Sequence, residues 1–143
     1  MDHDRYDNDY LRGILRNTET IALVGASHKP ERPSHGVMRF LQNHGYRVTP
    51  VNPGLAGQNL HGQKVVANLA EVPGQIDMVD IFRNNSALPA LTDEILALPH
   101  RPKVVWMQLG VRDDAQAARL EAAGIKVVMN RCPHIEIPRL GIL

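Results

Sequence analysis

The run Ile21-Ala22-Leu23-Val24-Gly25-Ala26-Ser27 sets the terms for the whole chain. Successive apolar residues, stopped by a glycine and two small residues, describe a buried strand that ends where backbone must approach something closely. Gly25 has access to backbone angles closed to other residues, and Ala26 and Ser27 add little bulk. The next segment, His28-Lys29-Pro30-Glu31-Arg32-Pro33-Ser34-His35-Gly36, sets basic groups beside a helix start. Such a helix end offers unpaired N–H groups and a positive dipole end to an anion. Strand, small-residue turn, cations and helix start together describe a phosphate site, and hence a nucleotide-type ligand.

Strand and helix patterns alternate through the rest of the chain. Ser34 is the expected cap of a helix through Val37, Phe40 and Leu41, with Gly45 as its stop. Arg47 to Asn52 reads as a second strand, closed by Pro53-Gly54. Leu60 to Val66 suggests a short edge strand, and Leu69 to Val72 a helical turn. Met78 to Phe82 is the third main strand, interrupted by Asp80. Ser86 opens a helix with Leu88, Leu91, Ile95 and Leu98 on one face, and Pro89 is tolerated in its first turn. Lys103 to Met107 and Lys126 to Met129 are further strands, separated by a helix from Asp113 to Ala123 that Gly124 ends. A short helix around Asp9 to Arg16 lies in an N-terminal extension, residues 1–20, of a single domain spanning 1–143. Strands alternating with helices imply a mostly parallel sheet with both faces covered. The expected fold is α/β, a Rossmann-like doubly wound sheet of five strands with helices on both faces.

Composition narrows the function. A net charge of +1 over 143 residues, with mixed signs, speaks against nucleic-acid or membrane-surface binding. Aromatics at 4% leave little to stack successive bases. No run approaches a membrane span, and Met1 to Asp9 is not a signal peptide. The lone Cys132 cannot form an internal disulfide, which fits a reducing cytoplasm.

Ligands of such sheets bind outside the C-terminal strand ends, near the switch in strand order. Those ends here read Gly25-Ala26-Ser27, Val51-Asn52-Pro53, Phe82-Arg83-Asn84, Gln108-Leu109-Gly110 and Asn130-Arg131-Cys132. NAD is the usual ligand, but the glycine fingerprint G-x-G-x-x-G is absent, with Ser27 and Pro30 after Gly25. The second strand also ends in Asn52 where an acid would hold ribose hydroxyls. An NAD(P)-binding oxidoreductase or regulatory domain therefore stands as the alternative reading.

Six blocks of the chain resemble the bacterial CoA-binding protein family of stand-alone Rossmann domains. They are Ile21 to Ser27, Arg32-Pro33-Ser34, Pro50 to Pro53, Asp77 to Arg83, Trp106 to Gly110, and Arg131-Cys132-Pro133. That family is in turn similar to the CoA-binding domain of the succinyl-CoA synthetase α subunit. The resemblance implies coenzyme A or an acyl-CoA as cofactor, with Gly25, Ala26 and Ser27 at its phosphates. Val51 and Pro53 would flank the adenine with Asn52 between them. Phe82 and Arg83 would lie along the pantetheine arm or the phosphates, and Gln108 would face the thiol end. Pro33 and Ser34 belong to the same site through their block. Lys29 and Arg32 join it on charge grounds, because CoA carries a 3′-phosphate and a pyrophosphate. The synthetase acts through a phosphorylated histidine and a partner subunit, in segments this sequence does not contain. The implied role is thus non-catalytic binding, as carrier, sensor or subunit of a larger assembly, with protein partners and oligomeric state left open.

Other chemistry finds less support. Cys132, between Arg131 and Pro133-His134, is either a packing residue or a thiol activated by a nearby cation. None of the seven histidines has a metal-ligand spacing, and His28 and His35 are further candidates for phosphate contact. Asp77 and Asp80 point to opposite sides of one strand, which suits a turn role for Asp77 and a hydrogen-bonded structural role for Asp80. Trp106 reads as core, and Phe82 as either core or ligand wall.

Overall fold

Every strand predicted from an apolar run is present in the computed structural model, which describes residues 1–142. Chain order runs α1 (Asn8–Arg16), β1 (Thr20–Val24), α2 (Pro33–Asn43), β2 (Arg47–Val51), β3 (Asn59–Leu60) and β4 (Gln63–Lys64), then β5 (Met78–Ile81), α3 (Leu88–Leu96), β6 (Val104–Met107), α4 (Asp114–Ala122), β7 (Lys126–Val128) and α5 (Pro133–Arg139). The main sheet is parallel throughout, in the order β2-β1-β5-β6-β7. From β1 the chain crosses through α2 to β2 on one side, then returns to β5 on the other. The strand order therefore reverses between β1 and β5, and the loops leaving them face each other across a crevice.

Both faces of the sheet are covered, so its central strands carry apolar side chains in both directions. Leu23, Met78, Trp106 and Val128 share one core with residues of α1, α2 and α5. Ala22, Val79, Val105 and Val127 share a second core with residues of α3 and α4. Each fully buried aliphatic side chain adds about 1.5–3 kcal/mol before chain entropy is charged against it. Trp106 is fully buried, and its indole N–H donates to the Arg131 carbonyl at 2.9 Å, which leaves no orphaned donor in the core.

Three local expectations give way. The edge strand expected at Leu60 to Val66 is instead the hairpin β3–β4, followed by a single parallel bridge from Val66 to Val51. Positive φ at His61 and Gly62 reverses the chain there, so the segment cannot run on as one strand. The helix that Ser34 was to cap begins two residues earlier, with Pro33 as its first residue and Arg32 at the N-cap. Pro33 has its φ preset and no N–H to satisfy, so it takes the first helical position. Ser86 lies in a single 3-10 turn, Asn85–Ala87, that leads into α3.

Asp77 and Asp80 differ sharply. Asp77 Oδ2 accepts the backbone N–H groups of Glu19 and Thr20 at 2.9 and 3.2 Å, and Lys103 lies 3.6 Å from Oδ1. Burial pushes its pKa up, but those amides and Lys103 outweigh burial and hold it below the usual carboxylate range. Asp80 is fully buried and neither carboxyl oxygen has a hydrogen-bond partner, contrary to the role expected for it. Burial alone raises its pKa to about 8. The folded protein thus holds a proton that the unfolded chain, with a carboxyl near 3.8, has already released. Asp80 opposes folding progressively as pH rises from about 4 to its folded pKa, and its contribution is constant above that. Asp80→Asn should therefore gain in Tm relative to the parent as pH goes from 5 to 8. Melting curves at both pH values decide it, and an equal difference at both would mean Asp80 is ionised in the fold.

Candidate functional site

The crevice at the switch point is a cleft of about 730 Å³, within the size range of cofactor sites. Its wall begins at Gly25, where φ is +89° and an added Cβ would lie 2.6 Å from the Phe82 carbonyl oxygen. The loops after β1 and β5 are in backbone contact at this point, so only glycine fits. Gly25 and Ala26 N–H groups both donate to the Val51 carbonyl, at 3.0 and 3.3 Å, which ties in the end of β2. Asn52 completes the junction, its Nδ2 donating to the Ala26 carbonyl at 2.7 Å and its Oδ1 accepting from Gly54 N–H at 2.8 Å. Three strand ends are thus locked together by short-range polar contacts.

Across the opening lies the start of α2. No side chain caps it, and its first turn carries no acid. Its leading amides face no built-in anion, and the dipole there is uncompensated. Lys29, Arg32 and Arg83 are exposed on the cleft, and among the described residues none of the three is in a salt bridge. His28 adds a fourth basic side chain to the lining, which includes no carboxylate. The electrostatic character of the cleft is that of an anion site.

The predicted residues Gly25, Ala26, Ser27, Lys29, Arg32, Pro33, Ser34, Asn52, Phe82, Arg83 and Gln108 all line this cleft. Val51 and Pro53 do not; with Asn52, Gly25 and Arg83 they line a smaller adjoining pocket of about 310 Å³. His35 is outside both linings, its ring 4.3 Å from that of His61. Cys132 is buried in the core with Trp106, at the N-cap of α5. Phe82 is half-buried, packed against that core and also lining the cleft. Sequence reasoning missed Gly54, Leu55, Asn85 and Val111, which also line it. Asn85 had a signal of a general kind, since Asn in a polar loop favours local backbone bonding; its Oδ1 accepts from Arg112 N–H at 2.9 Å.

Gln108 has an unusual position. It is 5% exposed, its Oε1 is buried without a partner, and the residue still lines the cleft. Its backbone N–H is held by the Ile81 carbonyl at 3.1 Å, which fixes it beside the end of β5.

Comparison with known proteins adds a family. Residues 19–138 match the family model described as the CoA binding domain. Protein YneT of Bacillus subtilis is 35% identical over 122 residues, covering 85% of this chain and 87% of YneT. The α subunit of the ADP-forming acetate–CoA ligase I of Pyrococcus furiosus is 30% identical over 84 residues, 56% of this chain but 18% of that subunit. The solved structure of cell-free ID.343 from Thermus thermophilus superimposes with a TM-score of 0.89 at 43% identity, covering 94% of this chain and 99% of that one.

The contact at Gly25 yields a direct expectation. Gly25→Ala should destabilise the fold by about 2 kcal/mol or more, because a left-handed backbone and the Phe82 carbonyl both oppose a Cβ. Urea unfolding measures this, and a loss below about 0.5 kcal/mol would mean the two loops separate at little cost.

Proposed function

Since this chain belongs to the CoA-binding domain family, we propose that it binds coenzyme A or an acyl-CoA in the cleft at the switch point, as a binding domain without catalysis of its own. The observation that carries this reading is an acid-free cleft in which Lys29, Arg32 and Arg83, in no salt bridge among the described residues, surround the uncapped start of α2. CoA is a polyanion, and cations with free helix amides are the groups that hold phosphates. In this placement Gly25, Ala26 and Ser27 contact the phosphates. Val51, Asn52 and Pro53 border the adenine, Phe82 and Arg83 the pantetheine arm or phosphates, and Gln108 the sulfur end. Asn52 acts there through the loop it braces, because both ends of its side-chain amide are bonded to backbone.

NAD(P) is the competing ligand, and the cleft argues against it. No acid stands at the end of β2 to grip ribose hydroxyls, and the one polar side chain there is engaged in the protein. The role that fits is a carrier, a sensor or a component of a larger assembly, acting in the cytoplasm as a single domain. Among the described residues, no helix is long and apolar enough to cross a membrane.

Thermal-shift and calorimetric titrations with CoA, acetyl-CoA, succinyl-CoA, NAD and NADP test the reading. CoA compounds at about 100 times their Kd should raise stability by about 2.7 kcal/mol, a shift of several degrees. Arg32→Ala and Arg83→Ala should each weaken CoA binding about tenfold or more while leaving Tm of the free protein nearly unchanged. Full affinity in both variants would remove the electrostatic account, and stabilisation by NAD(P) alone would replace CoA as the ligand.

A further inference from the structure

Two polar side chains are buried without partners on one face of the sheet, and they are neighbours in it. Asp80 of β5 lies opposite Trp106 of β6 in the strand register. Gln108 comes just after β6, and its backbone N–H bond to the Ile81 carbonyl at 3.1 Å carries the ladder on by one residue, which puts it on the Trp106 face, diagonally ahead of Asp80 and one step nearer the cleft. With strands about 4.8 Å apart and a rise of about 3.3 Å per residue, such diagonal neighbours are about 8 Å apart, a gap that an Asp and a Gln side chain can close together. Asp80 Oδ1 and Oδ2 and Gln108 Oε1 are all acceptors without a donor. A proton on the Asp80 carboxyl supplies the donor that this group of atoms lacks.

We propose that Asp80 is a positioning residue for ligand recognition: its carboxylic O–H donates to Gln108 Oε1 and fixes the Gln108 amide with its N–H2 group toward the cleft, where it selects a carbonyl acceptor. This rests on the placement of CoA given above and deepens it. An amide N–H at the sulfur end of CoA favours a thioester carbonyl over a free thiol, which has no comparable acceptor. The ligand class is then acyl-CoA in preference to CoA. The buried oxygen cannot turn outward without leaving the N–H2 group against a carboxylic acid whose proton has lost its acceptor.

The surroundings suit a carboxyl that keeps its proton. β1 and β6, on either side of Asp80, carry no charged residue. The helices over this face bear His35 and Arg39 on α2, His134, Glu136 and Arg139 on α5, and Asp9, Arg12 and Arg16 on α1. Glu136 is paired with Arg139 at 2.7 Å, and Asp9 with Arg12 at 3.2 Å. None of these groups contributes to the Asp80 shift, which burial alone produces.

The test has two arms. In the ligand-free protein, NMR of the Gln108 side-chain N–H2 signals should show a titration near pH 8 that disappears in Asp80→Asn. Calorimetry with acetyl-CoA, which has no thiol to ionise, should show affinity falling about tenfold between pH 7 and pH 9.5. Asp80→Asn, whose amide still donates, should bind at the parent's pH 7 affinity across that range. Asp80→Leu, folded by its own melting curve, should bind about tenfold more weakly at every pH. Acetyl-CoA should also bind several-fold more tightly than CoA to the parent, a preference lost in Asp80→Leu. Gln108 signals indifferent to pH, or an Asp80→Asn profile that follows the parent's, would overturn the proposal. Failure of the parent to bind either CoA compound at pH 7, with the Gln108 titration intact, would instead overturn CoA as the ligand.

Discussion

The architecture of the cleft depends on one close contact, the approach of Gly25 to the carbonyl of Phe82. β1 and β5 are paired in parallel through Val24 and Ile81, and Phe82 N–H still donates to the Val24 carbonyl at 2.8 Å. Beyond that bond the two chains must part, because their following helices lie on opposite faces of the sheet. Gly25 lets them stay in contact for one more residue before they do. The cleft opens where they separate, with the α2 start on one side and the Arg83 loop on the other. A side chain at that position would move the opening, and every residue that lines it would move with it.

The ion pairs of the fold leave the cleft cations out. Arg112 pairs with Asp4 and Asp114, Arg119 with Asp93, Arg139 with Glu136, and Lys103 with Asp77. Exposed pairs such as these add little stability, about 0–1 kcal/mol each. Other cations, Arg16, Arg39, Arg47 and Arg101 among them, are also outside salt bridges among the described residues; what sets Lys29, Arg32 and Arg83 apart is that they line one concave site with no carboxylate. With a net charge of +1 the chain as a whole exerts almost no long-range pull. Attraction of an anion into the cleft is therefore local, set over a distance of about one Debye length, near 8 Å at physiological salt.

The strands were legible because a parallel sheet buried on both faces demands unbroken apolar runs, and β1, β6 and β7 have them. The helix α5 was not legible. Pro133 and Pro138 bracket Ile135-Glu136-Ile137, too short a run to carry a helical period. Pro133 in fact occupies the first turn, where no N–H is needed, and Pro138 comes near the end of a helix of seven residues. Ser34 resembled a cap because cap chemistry is local, yet the preset φ of Pro33 fixed the start before it. Within the site, the strand-end rule located nearly all of the cleft, since it depends on topology that the strand order sets. The bracing by Asn52 was hidden, because its partner Ala26 belongs to a loop 26 residues away. The missing partners of Asp80 were hidden for the same reason: satisfaction of a buried polar group is decided by tertiary neighbours.

Edge protection limits how such a domain can meet a partner. An exposed strand edge presents unpaired N–H and C=O groups and invites another chain to add a strand. Here the N-terminal extension closes the β7 edge. Tyr10 O–H donates to the Val127 carbonyl at 2.9 Å, and Tyr6 Oη accepts from Met129 N–H at 2.8 Å. Arg131 stacks over the Tyr6 ring at 4.8 Å, and His3 and Glu121 hold the segment further out at 2.9 Å. These early residues lie outside the span matched by the family, so closure of this edge is supplied by chain beyond that span. At the other edge, Val66 N–H donates to the Pro50 carbonyl and Asn52 N–H to the Val66 carbonyl. Both edges thus have part of their backbone groups engaged within the chain, which leaves less of either edge open to strand addition. On the cleft rim, exposed Leu109 stands next to Gln108.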